Sequence, residues 1–218
     1  MESLQNAVLF TGIQADDCQK LISCLSPYIR HFSKNEIILF SGASIKHIGV
    51  ILSGTATAYL EHPNGIQTIM SQLKPLSVFG EILVSTRTHK SPVTLYATSD
   101  ITAAFIEYER LFSICTTACA AHTMLIQNML KVIGDKYFRL FDRINILREK
   151  TLREKILAYL HILSDRGVVS TVTIPFTKTM LADYLLSNRS ALSKELRKME
   201  VDGLITVNGR KIKIIASP

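Results

Sequence analysis

Residues 176–215 read FTKTMLADYLLSNRSALSKELRKMEVDGLITVNGRKIKII, and this stretch decides the architecture. Thr177 is a helix-capping residue type, and the spacing after it predicts a helix to about Leu185 with Met180, Leu181, Tyr184 and Leu185 as its apolar face. Leu186-Ser187-Asn188 interrupts that pattern, and Asn188 suits the cap of a second helix. Leu192, Leu196 and Met199 recur at helical spacing and mark its inward side, so Arg189, Ser190, Ser193, Lys194 and Arg197 fall on the other side. Gly203 ends the helix. Two alternating strands follow around Asn208-Gly209, with Arg210 and Lys211 at the tip. Helix, turn, helix and basic hairpin in that order predict a winged helix-turn-helix. The second helix suits the major groove, and flanking cations, Lys178 among them, suit phosphates. A competing reading is a degenerate winged helix that serves as a protein-binding adaptor.

Charge placement separates the two ends of the chain. Residues 1–149 hold 13 Lys/Arg against 12 Asp/Glu, whereas residues 150–218 hold 12 against 6. The net charge of +7 therefore sits almost wholly in the last third, as expected of a nucleic-acid-binding module joined to a neutral one. Hydrophobic residues make up 47% and charged residues 20%, a globular composition. No apolar run approaches the roughly 18–20 residues that span a bilayer, and the opening MESLQNAVLF lacks the basic stretch of a signal peptide. The expectation is a cytoplasmic protein with no membrane partner.

Upstream, residues 15–26 predict a short helix with Asp16 and Asp17 in its first turn. From 28 to about 108, EIILF, HIGVILSG, TATAYLEH, QTIMSQL, VTLYATS and TAAFIEY are short, β-branched and aromatic. Ser41-Gly42, Ser53-Gly54, Pro63-Asn64-Gly65, Lys74-Pro75 and Ser99-Asp100 separate them as turns. This spacing predicts an antiparallel sandwich or barrel. Beyond about 109 the period changes. Ile126, Leu130, Ile133, Tyr137, Leu140, Ile144 and Leu147 alternate steps of four and three, a heptad seam. The seam either pairs with a second copy or faces the chain's own sheets; its narrowness and length favour a parallel homodimer. A further helix is predicted over about 151–165.

With these parts in order, the chain resembles the Crp-Fnr family of bacterial regulators over nearly its whole length. TKTMLADYLLSNRSALSKELRKMEVDGLI is similar, without gaps, to that family's helix-turn-helix. EIILFSGASIKHIGVILSG at residues 36–54 is similar to the start of its cyclic-nucleotide-binding-like β-roll, and Phe79-Gly80-Glu81 to its phosphate-binding cassette. The resemblance implies an α+β fold in three parts: an N-terminal antiparallel double-stranded β-roll that is jelly-roll-like (1–110), a long dimerisation helix (111–148) and a C-terminal winged helix-turn-helix (149–218). It also implies a homodimer on double-stranded DNA with a two-fold symmetric operator, an effector held in the roll, and contact with RNA polymerase if the protein activates. By position, Arg189 falls where the family reads guanine, and Lys194 where a base- or phosphate-contacting cation is common. Ser190 stands where some members have Glu. Leu186 stands where the turn often has Gly, so it is strained if its φ is positive.

The effector positions implied by the resemblance are Gly80, Glu81, Lys90 and Ser91, and they depart from a nucleotide cassette. Lys90 replaces the planar two-pronged Arg, Pro92 removes an amide donor, and Leu140-Phe141 lacks the hydroxyls expected against adenine. These departures argue against cAMP and leave a small anionic effector or none; no cofactor is assigned. A redox- or metal-responsive regulator is the alternative. Cys18 and Cys24 lie six apart and Cys115 and Cys119 four apart, unlike the tighter cluster of the family's iron–sulfur members, and buried core cysteines are common. The six histidines form no H-x-H or H-x-x-x-H pair, so no metal site is expected. G-x-S-x-G, G-x-x-x-x-G-K-[ST] and H-E-x-x-H are all missing, and no enzyme activity is expected.

Overall fold

The structure is a computed structural model that describes residues 2–112, 120–165 and 168–215. It divides into two compact units, Met1–Lys136 and Tyr137–Pro218.

The first unit opens with α1 (Glu2–Gln5), a 3₁₀ turn (Val8–Phe10) and α2 (Ala15–Leu25). The roll comprises β1 (Tyr28–Phe32), β2 (Ile37–Leu39), β3 (His47–Ser53), β4 (Ala56–Glu61), β5 (Gln67–Leu73), β6 (Val78–Phe79), β7 (Thr94–Ala97) and β8 (Ile101–Glu107), with the short helix α3 (Glu81–Val84) between β6 and β7. Two antiparallel sheets form, ordered β1-β8-β3-β6 and β2-β7-β4-β5. Strand β8 explains its own continuous apolar run: Ile101, Ala103 and Phe105 face the core between the sheets, while Ala104 and Ile106 face a second core shared with the helices. A strand buried on both faces cannot alternate.

That second core holds Leu4, Leu9 and Phe10 from the N-terminal segment and Leu21, Ile22 and Leu25 from α2. It also takes α4 (Tyr108–Phe112) and the first part of α5 (Ala120–Arg148). The Asn128 amide donates to the carbonyls of Leu9 (3.1 Å) and Thr11 (2.8 Å), fastening the N-terminal segment to α5. Sequence reading alone had not identified α1, the 3₁₀ turn or α3, each too short to show a period.

The second unit contains α6 (Leu152–Leu163), β9 (Thr171–Thr173), α7 (Lys178–Tyr184), α8 (Arg189–Val201), β10 (Ile205–Asn208) and β11 (Lys211–Ile214). Its core joins Ile146, Ile156, Tyr159 and Leu160 to Leu181, Leu185, Leu192, Leu196 and Met199. Each large aliphatic side chain buried there contributes roughly 1.5–3 kcal/mol. Two details differ from the expectation. The wing is three-stranded, since β9 pairs with β11. The hairpin turn is also displaced by one residue: Asn208 pairs with Lys211, so Gly209 and Arg210 form the connection and only Gly209 has positive φ, +60°.

Candidate nucleic-acid interface and effector site

The helix-turn-helix is built as its residue types dictate. Thr177 caps α7, its hydroxyl accepting from the Met180 amide at 3.3 Å. Asn188 caps α8, its Oδ1 accepting from the Ala191 amide at 2.7 Å. These bonds satisfy helix-end donors that would otherwise be orphaned. Between the helices Leu186 has φ +51° and is exposed, the strained conformation that a non-glycine residue incurs here.

With Leu192, Leu196 and Met199 buried, Arg189, Ser190, Lys194 and Arg197 are exposed and Ser193 is half-buried. Thr177, Lys178, Asn188, Arg210 and Lys211 are exposed as well. Among the described residues, none of Lys178, Arg189, Lys194, Arg197, Arg210 and Lys211 joins an ion pair. Thr177, Lys178, Arg189 and Arg210 meet at one groove of about 480 Å³. Its floor is apolar, from Ile174, Leu181, Leu196 and Ile212. The start of the second helix, the cap of the first and the wing tip thus present free cations together.

Sequence reading missed a second layer behind α8. Arg153 of α6 reaches Glu195 (Nε to Oε1, 2.6 Å) and Asp202 (Nη1 to Oδ2, 2.6 Å). Arg153 and Glu195 lie 42 residues apart in sequence, so no local spacing could reveal the pair.

The effector positions behave differently. Gly80 opens α3 at φ +85°, where a Cβ would stand 2.9 Å from the His47 carbonyl oxygen; the backbone conformation itself calls for glycine. Glu81 is 1% exposed, and its Oε1 is paired with Lys136 Nζ at 2.6 Å. Lys136 also donates to the Val78 carbonyl at 2.7 Å, while Glu81 Oε2 is buried without a hydrogen-bond partner among the described residues. The Ser91 hydroxyl donates to the Val93 carbonyl (2.7 Å) and accepts from the Val93 amide (3.2 Å). Lys90 is exposed, bridging to Ser44 through its backbone. Between the sheets, the Phe79 ring lies so close over Gly49 that a Cβ there would clash with it, and it packs edge-on to Phe105.

On α5, the stripe Ala121, Leu125, Met129 and Val132 is buried in the first unit's core. The heptad seam is a different stripe: Leu130, Tyr137, Leu140 and Ile144 are exposed, Ile126, Ile133 and Leu147 half-buried. Of the seam residues, Ile133 also packs against the first unit's core, while Leu130 stands exposed. Phe141, beside Leu140, is exposed too.

Of the cysteines, Cys18 is buried and burial pushes its thiol pKa up, away from reactive thiolate. Cys24 is exposed; Cys115 and Cys119 lie outside the described residues. Among the described residues no group of three His, Cys, Asp or Glu side chains could hold a metal ion, and no helix is long and apolar enough to cross a membrane.

A cyclic nucleotide-binding domain model matches residues 29–118, and a Crp-like helix-turn-helix domain model matches residues 154–216. The chain belongs to the Crp-Fnr family. It is thus a transcription regulator of the Crp-Fnr type, with a cyclic-nucleotide-binding-like domain and a DNA-binding helix-turn-helix domain, in a family of regulators rather than enzymes. Among relatives of this Crp-Fnr regulator, the transcriptional activator protein FnrL of Cereibacter sphaeroides is 22% identical over 203 residues, spanning 86% of this chain and 76% of FnrL. The regulatory protein HlyX of Actinobacillus pleuropneumoniae is 24% identical over 186 residues, spanning 83% and 75%. The fold is that of CprK, solved in complex with OCPA, at a TM-score of 0.71, 13% identity and 92% coverage of each chain.

Proposed function

We propose that this regulator binds DNA sequence-specifically as a homodimer on a two-fold symmetric operator, under control of an effector in the roll that is not cAMP. The observation that carries the reading is the set of exposed, unpaired cations on and around α8, held over a capped and packed helix-turn-helix. Arg189 and Lys194 read base edges; Ser190, Ser193 and Arg197 line the same face. Thr177, Lys178, Asn188, Arg210 and Lys211 grip phosphates around the groove. The exposed seam residues Leu130, Tyr137, Leu140 and Ile144 support self-pairing, since large apolar side chains at heptad spacing are otherwise left in water. The domain limits in this reading are 1–110, 111–148 and 149–218, in a cytoplasmic protein that touches RNA polymerase if it activates.

Internal pairing of Glu81 and Ser91 and the filled space beneath Phe79 support an effector other than a cyclic nucleotide. Glu81 Oε2, buried and without a partner among the described residues, favours a ligand that brings an N–H or O–H donor.

Selection from a pool of random-sequence duplexes tests the DNA reading. The expected product is an inverted repeat whose half-sites are centred about 34 Å apart, or a multiple of that. A pool with no enriched motif favours the protein-binding adaptor instead. Calorimetric titration with cAMP and cGMP tests the effector reading: no heat at millimolar nucleotide is expected, and micromolar binding overturns it.

A further inference from the structure

Helix α8 is held against its unit by two kinds of contact that constrain it differently. Leu192, Leu196 and Met199 bury against Ile156, Tyr159 and Leu160, but apolar burial is non-directional and tolerates small slides and rotations. The Arg153 fork is directional. Its two short charge-assisted bonds go to Glu195, in the middle of α8, and to Asp202, the residue that ends it. One planar group gripping two points about two turns apart fixes both the axial position of the helix and its rotation. Glu195 directly follows Lys194, so the turn of α8 that Arg153 grips is the turn that presents Lys194 outward.

The base of the fork is itself immobilised. Arg153 lies in the first turn of α6, closed by a capping box. The Thr151 hydroxyl accepts from the Glu154 amide at 3.2 Å, and Glu154 Oε2 accepts from the Thr151 amide at 2.8 Å. Ion pairs exposed to this degree add little to stability. Their geometry, not their energy, is what distinguishes them.

We infer that Arg153 is a positioning residue for operator discrimination: without touching DNA, it sets the register of α8 so that Arg189 and Lys194 meet base edges correctly. This rests on the base-reading role proposed for α8. The probes are the duplex enriched from the random pool and a scrambled duplex of equal length, at two salt concentrations. Arg153→Ala is expected to lower the operator-to-scrambled affinity ratio about tenfold, part of the value of a good base contact, and Glu195→Gln, which leaves the Asp202 bond in place, is expected to lower it by a smaller factor. Affinity for scrambled DNA and the salt slope should stay unchanged, because no phosphate contact is lost. Arg153→Lys, able to reach one acid but not both, should recover only part of the ratio. The Arg153→Ala, Glu195→Gln double variant should lose no more than Arg153→Ala alone.

An unchanged ratio in both single variants overturns the inference and leaves Arg153 a bystander ion pair. A parallel fall on both duplexes with a shallower salt slope overturns it by making Arg153 a phosphate contact. Failure of the unaltered protein to enrich any duplex overturns the base-reading proposal and this inference with it. Glu195→Gln, which changes no volume, keeps the test open if Arg153→Ala folds poorly.

Discussion

The two units use their polar side chains in opposite ways. In the winged helix, Arg189, Lys194, Arg197, Arg210 and Lys211 point out and pair with nothing among the described residues. In the roll, the residues at the matching family positions serve the fold: Ser91 closes a local turn on Val93, and Glu81 is clamped by Lys136. A surface left polar and unpaired is ready for a partner. Ser91 and Glu81 Oε1, satisfied internally, give a ligand little to replace unless it outcompetes those bonds, and Glu81 Oε2, buried without a partner among the described residues, is the acceptor left open to one. The DNA face therefore reads as a prepared surface, and the roll as one whose signal differs from that of a nucleotide-binding relative.

The largest expected effect concerns the exposed residues of the proposed seam on α5. Replacing Leu140 and Ile144, both about half exposed, by lysine places unpaired charges in the proposed seam, at a cost of about 3–5 kcal/mol. Light scattering should then show a monomer with unchanged circular dichroism. A dimer that persists would move the self-association surface elsewhere.

Next in size are the DNA contacts. Arg189→Ala and Lys194→Ala should each cost about 1–3 kcal/mol of operator discrimination. Arg210→Ala should weaken all DNA alike and lower the salt slope by about 1. Equal losses on operator and random DNA for all three variants would collapse the division between readers and phosphate grips.

Ser91→Ala probes the other side of the comparison. If the hydroxyl serves the Val93 turn, its loss removes two bonds to a part-buried amide and carbonyl and costs the ligand-free protein about 1 kcal/mol or more, visible in thermal melting. A ligand-free protein as stable as the parent would return Ser91 to the role of a ligand group.

The smallest effect is predicted at the turn. Leu186 sits at φ +51° with its side chain in water, so Leu186→Gly relieves about 1–2 kcal/mol of left-handed strain. The added chain entropy of glycine offsets part of this, leaving a net gain of about 0.5–1 kcal/mol. A lower melting temperature would show that the Leu186 side chain has a packing role.

Much of the winged helix was legible because its signals are local. Thr177 and Asn188 cap where their side chains predict, Gly203 terminates α8 at φ +71°, and the buried and exposed faces of α8 follow from a 3.6-residue period. Even the strain at Leu186 could be anticipated from its place in the turn. Less was legible in the wing, where Asn208 pairs with Lys211 so that the turn falls one residue later, and where β9, distant in sequence, adds a third strand beside β11. In the roll, six strands and most turns were readable, but β1 (Tyr28–Phe32) and the two-residue β6 (Val78–Phe79) were not, and neither was the fate of Glu81.

The sequence by itself determined the order of the parts, the charge asymmetry, the helix caps and the heptad seam of α5. Each depends on residues within a turn or two of one another, where chain geometry alone fixes the neighbours. Only the tertiary structure decided which α5 stripe the roll covers, that Lys136 neutralises Glu81, that Phe79 closes over Gly49 and that Arg153 spans two acids of α8. Those outcomes join residues tens of positions apart. Charge and size make such residues compatible, but only the packing of the elements selects one partner among the many the composition allows.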